Sequence, residues 1–87
     1  MIFINLGKMR KKPTKEMTVD AAKMIEGFKK RGIKIIAWYW TLGRYDTVII
    51  AEAPNEKEAM KIAIEAADFV VTETLVAIPR EEAIKLL

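Results

Sequence analysis

Residues 38–46 are Trp38-Tyr39-Trp40-Thr41-Leu42-Gly43-Arg44-Tyr45-Asp46, and this stretch decides the fold. Two runs rich in β-favouring residues, Ile33–Trp40 and Tyr45–Ala53, flank four residues that include Gly43. That is the length of a β-hairpin loop, and glycine supplies the positive φ that such a loop needs. The sequence therefore predicts a central hairpin formed by the second and third strands.

Both strands of the hairpin are apolar on their two faces. In the second strand one alternating set is Ile33, Ile35, Ala37 and Tyr39, and the other is Lys34, Ile36, Trp38 and Trp40. A strand with one face in water alternates between apolar and polar residues. We therefore expect both faces of the sheet to be at least partly covered, with the aromatic strand buried.

The remaining pattern predicts two more strands and two helices. The outer strands are Ile2–Leu6, closed by Gly7, and Phe69–Ile78. Helix one is expected to start at a Thr14 or Thr18 cap and to end at Gly32. Its apolar stripe is assigned to the core and comprises Met17, Ala21, Met24, Ile25 and Phe28. Helix two is expected after Pro54, where Asn55-Glu56-Lys57-Glu58 has the form of a capping box.

The resulting order is β-α-β-β-α-β within a single domain of residues 1–87. Two crossover units joined by a hairpin predict a ferredoxin-like α+β fold. It has a four-stranded antiparallel sheet with both helices on one face. The tail Pro79–Leu87 adds a short C-terminal helix, because its proline and acids suit a first turn. The uncovered sheet face needs a partner, and a homodimer or higher oligomer is expected.

The composition excludes several classes of site. There is no Cys and no His, so thiolate and imidazole chemistry are absent, and no metal or cofactor is predicted. Gln is also absent, while Lys, Glu and Ile are abundant, which is typical of heat-adapted proteins. No apolar run approaches the roughly 20 residues of a membrane span, and Met1–Asn5 lacks a basic leader. We expect a cytoplasmic protein with no membrane contact.

Charge is divided between the two halves of the chain. Residues 1–44 carry eleven Lys/Arg and three acids, whereas residues 45–87 carry four and nine. Such asymmetry marks either a nucleic-acid surface or complementarity, between two ends of one subunit or between neighbouring subunits, and we favour the second. The loop Lys8–Lys15 holds five of the cations. It is either a solvated loop or an anion site in front of helix one.

The order of three motifs gives a family resemblance. The hairpin sequence Tyr39–Asp46, the strand end Glu52-Ala53-Pro54 and the later Thr72-Glu73-Thr74-Leu75 resemble the GYD-domain family. Its Gly-x-Tyr-Asp signature corresponds to Gly43, Tyr45 and Asp46. The resemblance implies a dimeric α/β-barrel relative, in a superfamily that includes cofactor-free oxygenases and ligand-binding proteins. The basic loop and the tail beyond Ile78 depart from the family pattern.

The hairpin also holds the candidate site. Arg44 and Asp46 are two residues apart, so side chains in a strand would point the same way. The pair is interpreted either as an ion pair that pins the turn or as a ligand site. In the second reading Arg44 receives an anion, Asp46 orients it or accepts a proton, and Tyr45 and Trp40 line the pocket. Lys8 and Arg10 of the basic loop complete the binding candidates.

Three functions are compatible with these residues. The first is an oligomeric module that binds or senses a small molecule in a pocket between the sheet and the helices, near the hairpin. The aromatic residues would form its apolar walls, and Arg44 and the basic loop would hold an anionic group. The second is a cofactor-free enzyme, whose general base would be Asp46 or Glu73. The third is nucleic-acid binding through the basic half, which we favour least because the sequence contains no motif of that class.

Overall fold

The sheet and its helices follow the predicted order. The computed structural model describes residues 1–87. The four strands pair in the order β2-β3-β1-β4, and every pairing is antiparallel. The elements are β1 Ile2–Met9, α1 Lys15–Lys30, β2 Lys34–Trp40, β3 Thr47–Glu52, α2 Glu56–Ala66, β4 Val70–Ala77, α3 Arg80–Ala83 and a 3₁₀ turn Ile84–Leu86. The ferredoxin-like α+β fold with a short C-terminal helix is confirmed. No helix is long and apolar enough to cross a bilayer.

Local signals define the ends of the helices as expected. The Thr14 hydroxyl accepts a hydrogen bond from the Met17 amide at 3.2 Å, and the Asn55 side chain accepts one from the Glu58 amide at 3.1 Å. Both bonds satisfy amides that have no partner within the first turn of a helix. Gly32 has a φ of 85° after α1, and Gly43 has a φ of 99° in the hairpin loop. The two glycines therefore hold the positions that need a left-handed backbone.

Two strand boundaries differ from the sequence-based expectation. Gly7 does not close β1, because it pairs with Thr47 on one side and Thr72 on the other, and the strand continues to Met9. β3 begins at Thr47, so Tyr45 and Asp46 belong to the hairpin loop. The loop is held by the Thr41 amide, which donates to the Asp46 carbonyl at 2.8 Å.

The core lies between the sheet and the helices. Seven apolar residues form it, namely Phe3, Ile25, Phe28, Ile33, Ala51, Ala53 and Ala59. Arg31, at the end of α1, donates to Glu65 of α2 at 2.7 Å and lies 3.9 Å from Glu58. These contacts join the C-terminal end of α1 to α2. Side-chain ion pairs of Arg31 therefore connect the two helices.

The sheet face opposite the helices is apolar and uncovered in the single chain. We call it the outer face. Strand register assigns to it ten apolar residues, namely Ile2, Ile4, Leu6, Ala37, Tyr39, Val48, Ile50, Val71, Leu75 and Ala77, and the charged residues Lys8, Lys34, Glu52 and Glu73. Tyr39, Val71 and Leu75 are each more than two fifths exposed. The expectation that both faces are apolar is confirmed, but the expectation that the aromatic strand is buried is wrong for the single chain.

Gly7 should be intolerant of a side chain. A Cβ atom at this position would lie 2.3 Å from the Thr47 hydroxyl oxygen, so either the backbone or Thr47 must move. We predict that Gly7→Ala lowers the free energy of unfolding by about 1–3 kcal/mol, as measured by urea denaturation at fixed protein concentration.

Gly27 is the matched control because it lies within α1 and a Cβ there meets nothing within 4 Å. Gly27→Ala should raise stability by about 0.5–1 kcal/mol. Adding Thr47→Ala to Gly7→Ala should recover part of the loss. Equal stability of the Gly7→Ala and wild-type proteins would show that Thr47 does not lie this close to Gly7 in solution.

Candidate functional site

A β-bulge in β2 decides which side chains face the helices. Ile35 pairs with Ala51 and Ala37 pairs with Ile50, so Ile36 is an extra residue between them. One extra residue exchanges the two faces for everything that follows it. Trp38 and Trp40 consequently share the helix-facing side with Ile35. The alternating sets derived from the sequence are therefore wrong beyond Ile36.

The two indoles line a cleft between the sheet and the helices. Its volume is about 380 Å³, and 14 of its 18 lining residues are apolar. α1 contributes Met17, Thr18, Ala21, Ala22, Met24, Ile25 and Phe28, and the strands and the rest of the chain contribute Asn5, Met9, Pro13, Trp38, Trp40, Thr47, Ile49, Ile62, Ala66, Phe69 and Val70. No Asp, Glu, Lys or Arg is among them. Inside the cleft a ligand would meet only neutral side chains.

The cleft is closed at one end and open at the other. Phe28 is 2% exposed and belongs to the core together with Ala59, so the core closes this end. At the opposite end, the first turn of α1 and the last turn of α2 contribute Met17 and Ala66. Pro13, in the loop that precedes α1, also lines this end. The mouth of the cleft therefore borders the basic loop.

Trp40 is the one predicted binding residue that lies in the cleft. It is 58% exposed, at the end of the edge strand β2. Lys8, Arg44 and Tyr45 do not line the cleft. Arg10 also lies outside, and its guanidinium Nε donates to the Ala67 carbonyl at 2.7 Å, at the end of α2.

Asp46 holds the hairpin loop against β1. Its carboxylate Oδ2 accepts a hydrogen bond from the Met9 amide at 2.8 Å, and its own amide donates to the Gly7 carbonyl at 2.8 Å. The expected ion pair with Arg44 is absent, since none of the four ion pairs in the structure contains either residue. Arg44 instead lies over the Tyr45 ring, with its guanidinium carbon 6.0 Å from the ring centre.

Tyr45 reaches across β1 to Glu73 on the edge strand β4. The phenol donates a short hydrogen bond to the Glu73 carboxylate. Register places Glu73 opposite Leu6 on the outer face, away from the cleft. The hydrogen bond to Glu73, desolvation and the negative charge of Glu73 raise the pKa of Tyr45, and Arg44 opposes this in part. The Gly-x-Tyr-Asp stretch therefore joins the loop to β1 and β4.

Most residues of the cleft are not recognisable as a site in the sequence. The stripe of α1 was assigned to the core, which is confirmed for Ile25 and Phe28. Met17 and Ala21 of the same stripe are not part of the core and line the cleft, whereas Met24 both packs against the core and lines the cleft. Asn5 and Thr47 supply its polar floor. The signal available in the sequence was one polar residue on the helix-facing side of each of two strands, Asn5 in β1 and Thr47 in β3.

The Tyr45–Glu73 contact can be tested by titration. In a Tyr39→Phe background Tyr45 is the only tyrosine, and its ionisation can be followed by tyrosinate absorbance. We expect a pKa above the ordinary value of about 10, falling towards it when Glu73→Ala is added. Because the folded-state pKa is raised, the contact stabilises the fold below about pH 10. This contribution is lost as pH rises through the folded pKa.

Glu52→Ala is the control for this titration, because Glu52 also lies on the outer face but at the other end of β3. It should leave the Tyr45 titration unchanged. If the Glu73→Ala and Glu52→Ala proteins titrate alike, the phenol does not contact Glu73 in solution.

Comparison with known proteins gives one family. The family model of the GYD domain matches residues 2–87, which is essentially the whole chain. No protein of curated function matches the sequence.

Proposed function

The chain belongs to the GYD-domain family, and on this premise we propose that it is a small-molecule-binding or sensing domain. The cleft of about 380 Å³ between the sheet and the helices carries the proposal. Small-molecule sites are concave and mainly apolar, with volumes of about 300–1,000 Å³ and a few polar groups. The cleft has this size and character. Both tryptophans line it, so their fluorescence would report its occupancy.

The proposal places the ligand away from Arg44 and Asp46. Neither residue lines the cleft, and the Asp46 carboxylate already accepts a hydrogen bond from the β1 backbone. Asp46 is thus better explained as a structural residue of the loop. An anionic group on the ligand would meet the basic loop at the mouth, where Pro13 borders the cleft.

A cofactor-free enzyme is less well supported by the geometry. Such an enzyme needs a general base within hydrogen-bond reach of its substrate. The two candidate bases, Asp46 and Glu73, both lie outside the cleft, and Glu73 accepts a hydrogen bond from Tyr45 on the outer face. Binding without chemistry therefore fits the cleft better.

Nucleic-acid binding is also less well supported. Proteins that bind single strands by stacking present aromatic side chains along an open groove. Here Trp38 and Trp40 line a cleft that α1 borders along most of one side. This arrangement suits a compact ligand better than a strand of nucleic acid.

We also propose that a second copy of the chain covers the outer face. Ten apolar residues of four strands lie on this face, and only nine residues of the whole chain are buried. A contiguous exposed patch of this kind is uncommon in monomers. A twofold axis would pack two identical sheets face to face, which is how sheet sandwiches bury such surfaces.

A bulky side chain in the cleft should abolish ligand binding. We would screen carboxylates, phosphates and aromatic metabolites by tryptophan fluorescence and thermal shift, then repeat each hit with Ala21→Phe. Ala21 lines the cleft, so the new ring should fill part of it and weaken binding by at least about tenfold, or 1.4 kcal/mol. The control is Val19→Phe, on the exposed side of the same helix. If a compound binds the Ala21→Phe and wild-type proteins equally, its binding site lies outside the cleft.

A charge on the outer face should dissociate the dimer. Leu75 lies on the outer face opposite Ile4, so Leu75→Lys would bury an unpaired ammonium in the proposed interface. We expect a dimer in sedimentation of the wild-type protein and a dissociation constant raised by about a hundredfold or more in the variant. Leu42→Lys is the control, because Leu42 is fully exposed in the hairpin loop. A wild-type monomer of 9.9 kDa at micromolar concentration would refute the proposal.

A further inference from the structure

The composition of the cleft indicates which ligands it would bind. Three of the five methionines and both tryptophans line it, together with Phe28 and Phe69. Aromatic faces stack on other flat π-systems, and methionine sulfur makes favourable contacts with aromatic rings. The four aromatic and three thioether side chains would therefore favour a flat aromatic ligand over an aliphatic one of equal size.

The floor of the cleft adds hydrogen-bonding groups without charge. The Asn5 side-chain nitrogen donates a hydrogen bond to the Thr74 hydroxyl at 3.2 Å. The side-chain oxygen Oδ1 of Asn5 is therefore available as an acceptor. Thr47 lies on the neighbouring strand, two register positions away on the same face. These groups can bind a hydroxyl or ring N–H of a ligand. A charged group would be desolvated in the cleft without an opposite charge, so it must remain outside.

The mouth of the cleft provides the positive charge that the interior lacks. Lys11 and Lys12 immediately precede Pro13, and Lys15 begins α1. All three lysines are exposed and form no ion pair with the protein. An anionic group at the edge of a bound molecule would meet them while its ring stays in the apolar interior.

We propose that the ligand is a small planar aromatic acid of roughly two or three fused rings, a size that suits the lower end of the range of binding pockets. Its ring system enters between the sheet tryptophans and the methionines of α1. Its carboxylate, or an equivalent anionic group, stays at the mouth beside Lys11 and Lys12. This inference rests on the proposed function, since it assigns a chemical class to the ligand of the same cleft.

Three probes with the same carbon skeleton test the aromatic ring and the anionic group separately. They are 2-naphthoate, its saturated analogue decahydro-2-naphthoate and the uncharged 2-naphthamide, each measured by isothermal titration calorimetry at low salt. We expect 2-naphthoate to bind about tenfold more tightly than the saturated acid, because only the flat ring stacks on the indoles. It should also bind more tightly than the amide, and this advantage should shrink as salt is added.

Matched variants locate each contact. Trp38→Leu should weaken 2-naphthoate about tenfold, whereas Tyr39→Leu should not, because the bulge directs Tyr39 to the outer face. Replacing Lys11 and Lys12 by Ser should abolish the advantage of the acid over the amide. The same change at Lys30 and Lys57, which are exposed, form no ion pair and do not line the cleft, should leave it intact.

The outcomes distinguish this inference from the proposed function. If the aromatic and saturated acids bind equally, and both are lost in Ala21→Phe, the cleft is a binding site but not one for aromatic ligands. If the acid and the amide bind equally, the anionic part is wrong. Failure of 2-naphthoate to bind at millimolar concentration overturns the inference, while the proposed function is still decided by the Ala21→Phe test on the screened compounds.

Discussion

The β-bulge at Ile36 is the constraint on which the two surfaces of the sheet depend. Side chains in a strand alternate with a period of two, so a single extra residue moves every later side chain to the other face. With the bulge, Ile35, Trp38 and Trp40 all face the helices. In a regular strand Ala37 and Tyr39 would face the helices instead, and both indoles would lie on the outer face.

The two faces of the sheet consequently differ in shape. On the helix side the surface is concave, because a cleft lies between the sheet and α1 and α2. On the outer side an apolar surface spans all four strands. A concave surface suits a small ligand and a continuous apolar sheet surface suits a second sheet. The proposed ligand site and the proposed subunit contact therefore lie on opposite faces of the same sheet.

Much of the fold was predictable, because it depends on signals that are local in the sequence. Thr14, Asn55, Gly32 and Gly43 mark helix ends and the hairpin loop through the chemistry of neighbouring residues. The order of the elements follows from these marks. The bulge was not predictable, because Ile36 is a β-branched residue like its neighbours and no glycine marks the irregularity. For the same reason the sequence could not show which side chains of β2 face the helices.

The contacts of Asp46 could not be predicted from the spacing of Arg44 and Asp46 for a related reason. Side chains two residues apart share a face only within a strand, and β3 begins later, at Thr47. The partners of this loop are distant in sequence, as in the bond between Asp46 and the Met9 amide. Such contacts form only once β1 lies beside β3. Local spacing could not reveal them.

The placement of the indoles can be measured most directly by nuclear Overhauser effects in a methyl-labelled sample. The account predicts contacts from the Trp38 and Trp40 ring protons to methyl groups on the helix-facing side, namely Ile49, Thr47 and the methionines of α1. Contacts from the same ring protons to the methyl groups of Val48 and Ile50 would place both indoles on the outer face. That result would contradict the bulge, and with it the cleft as the binding site.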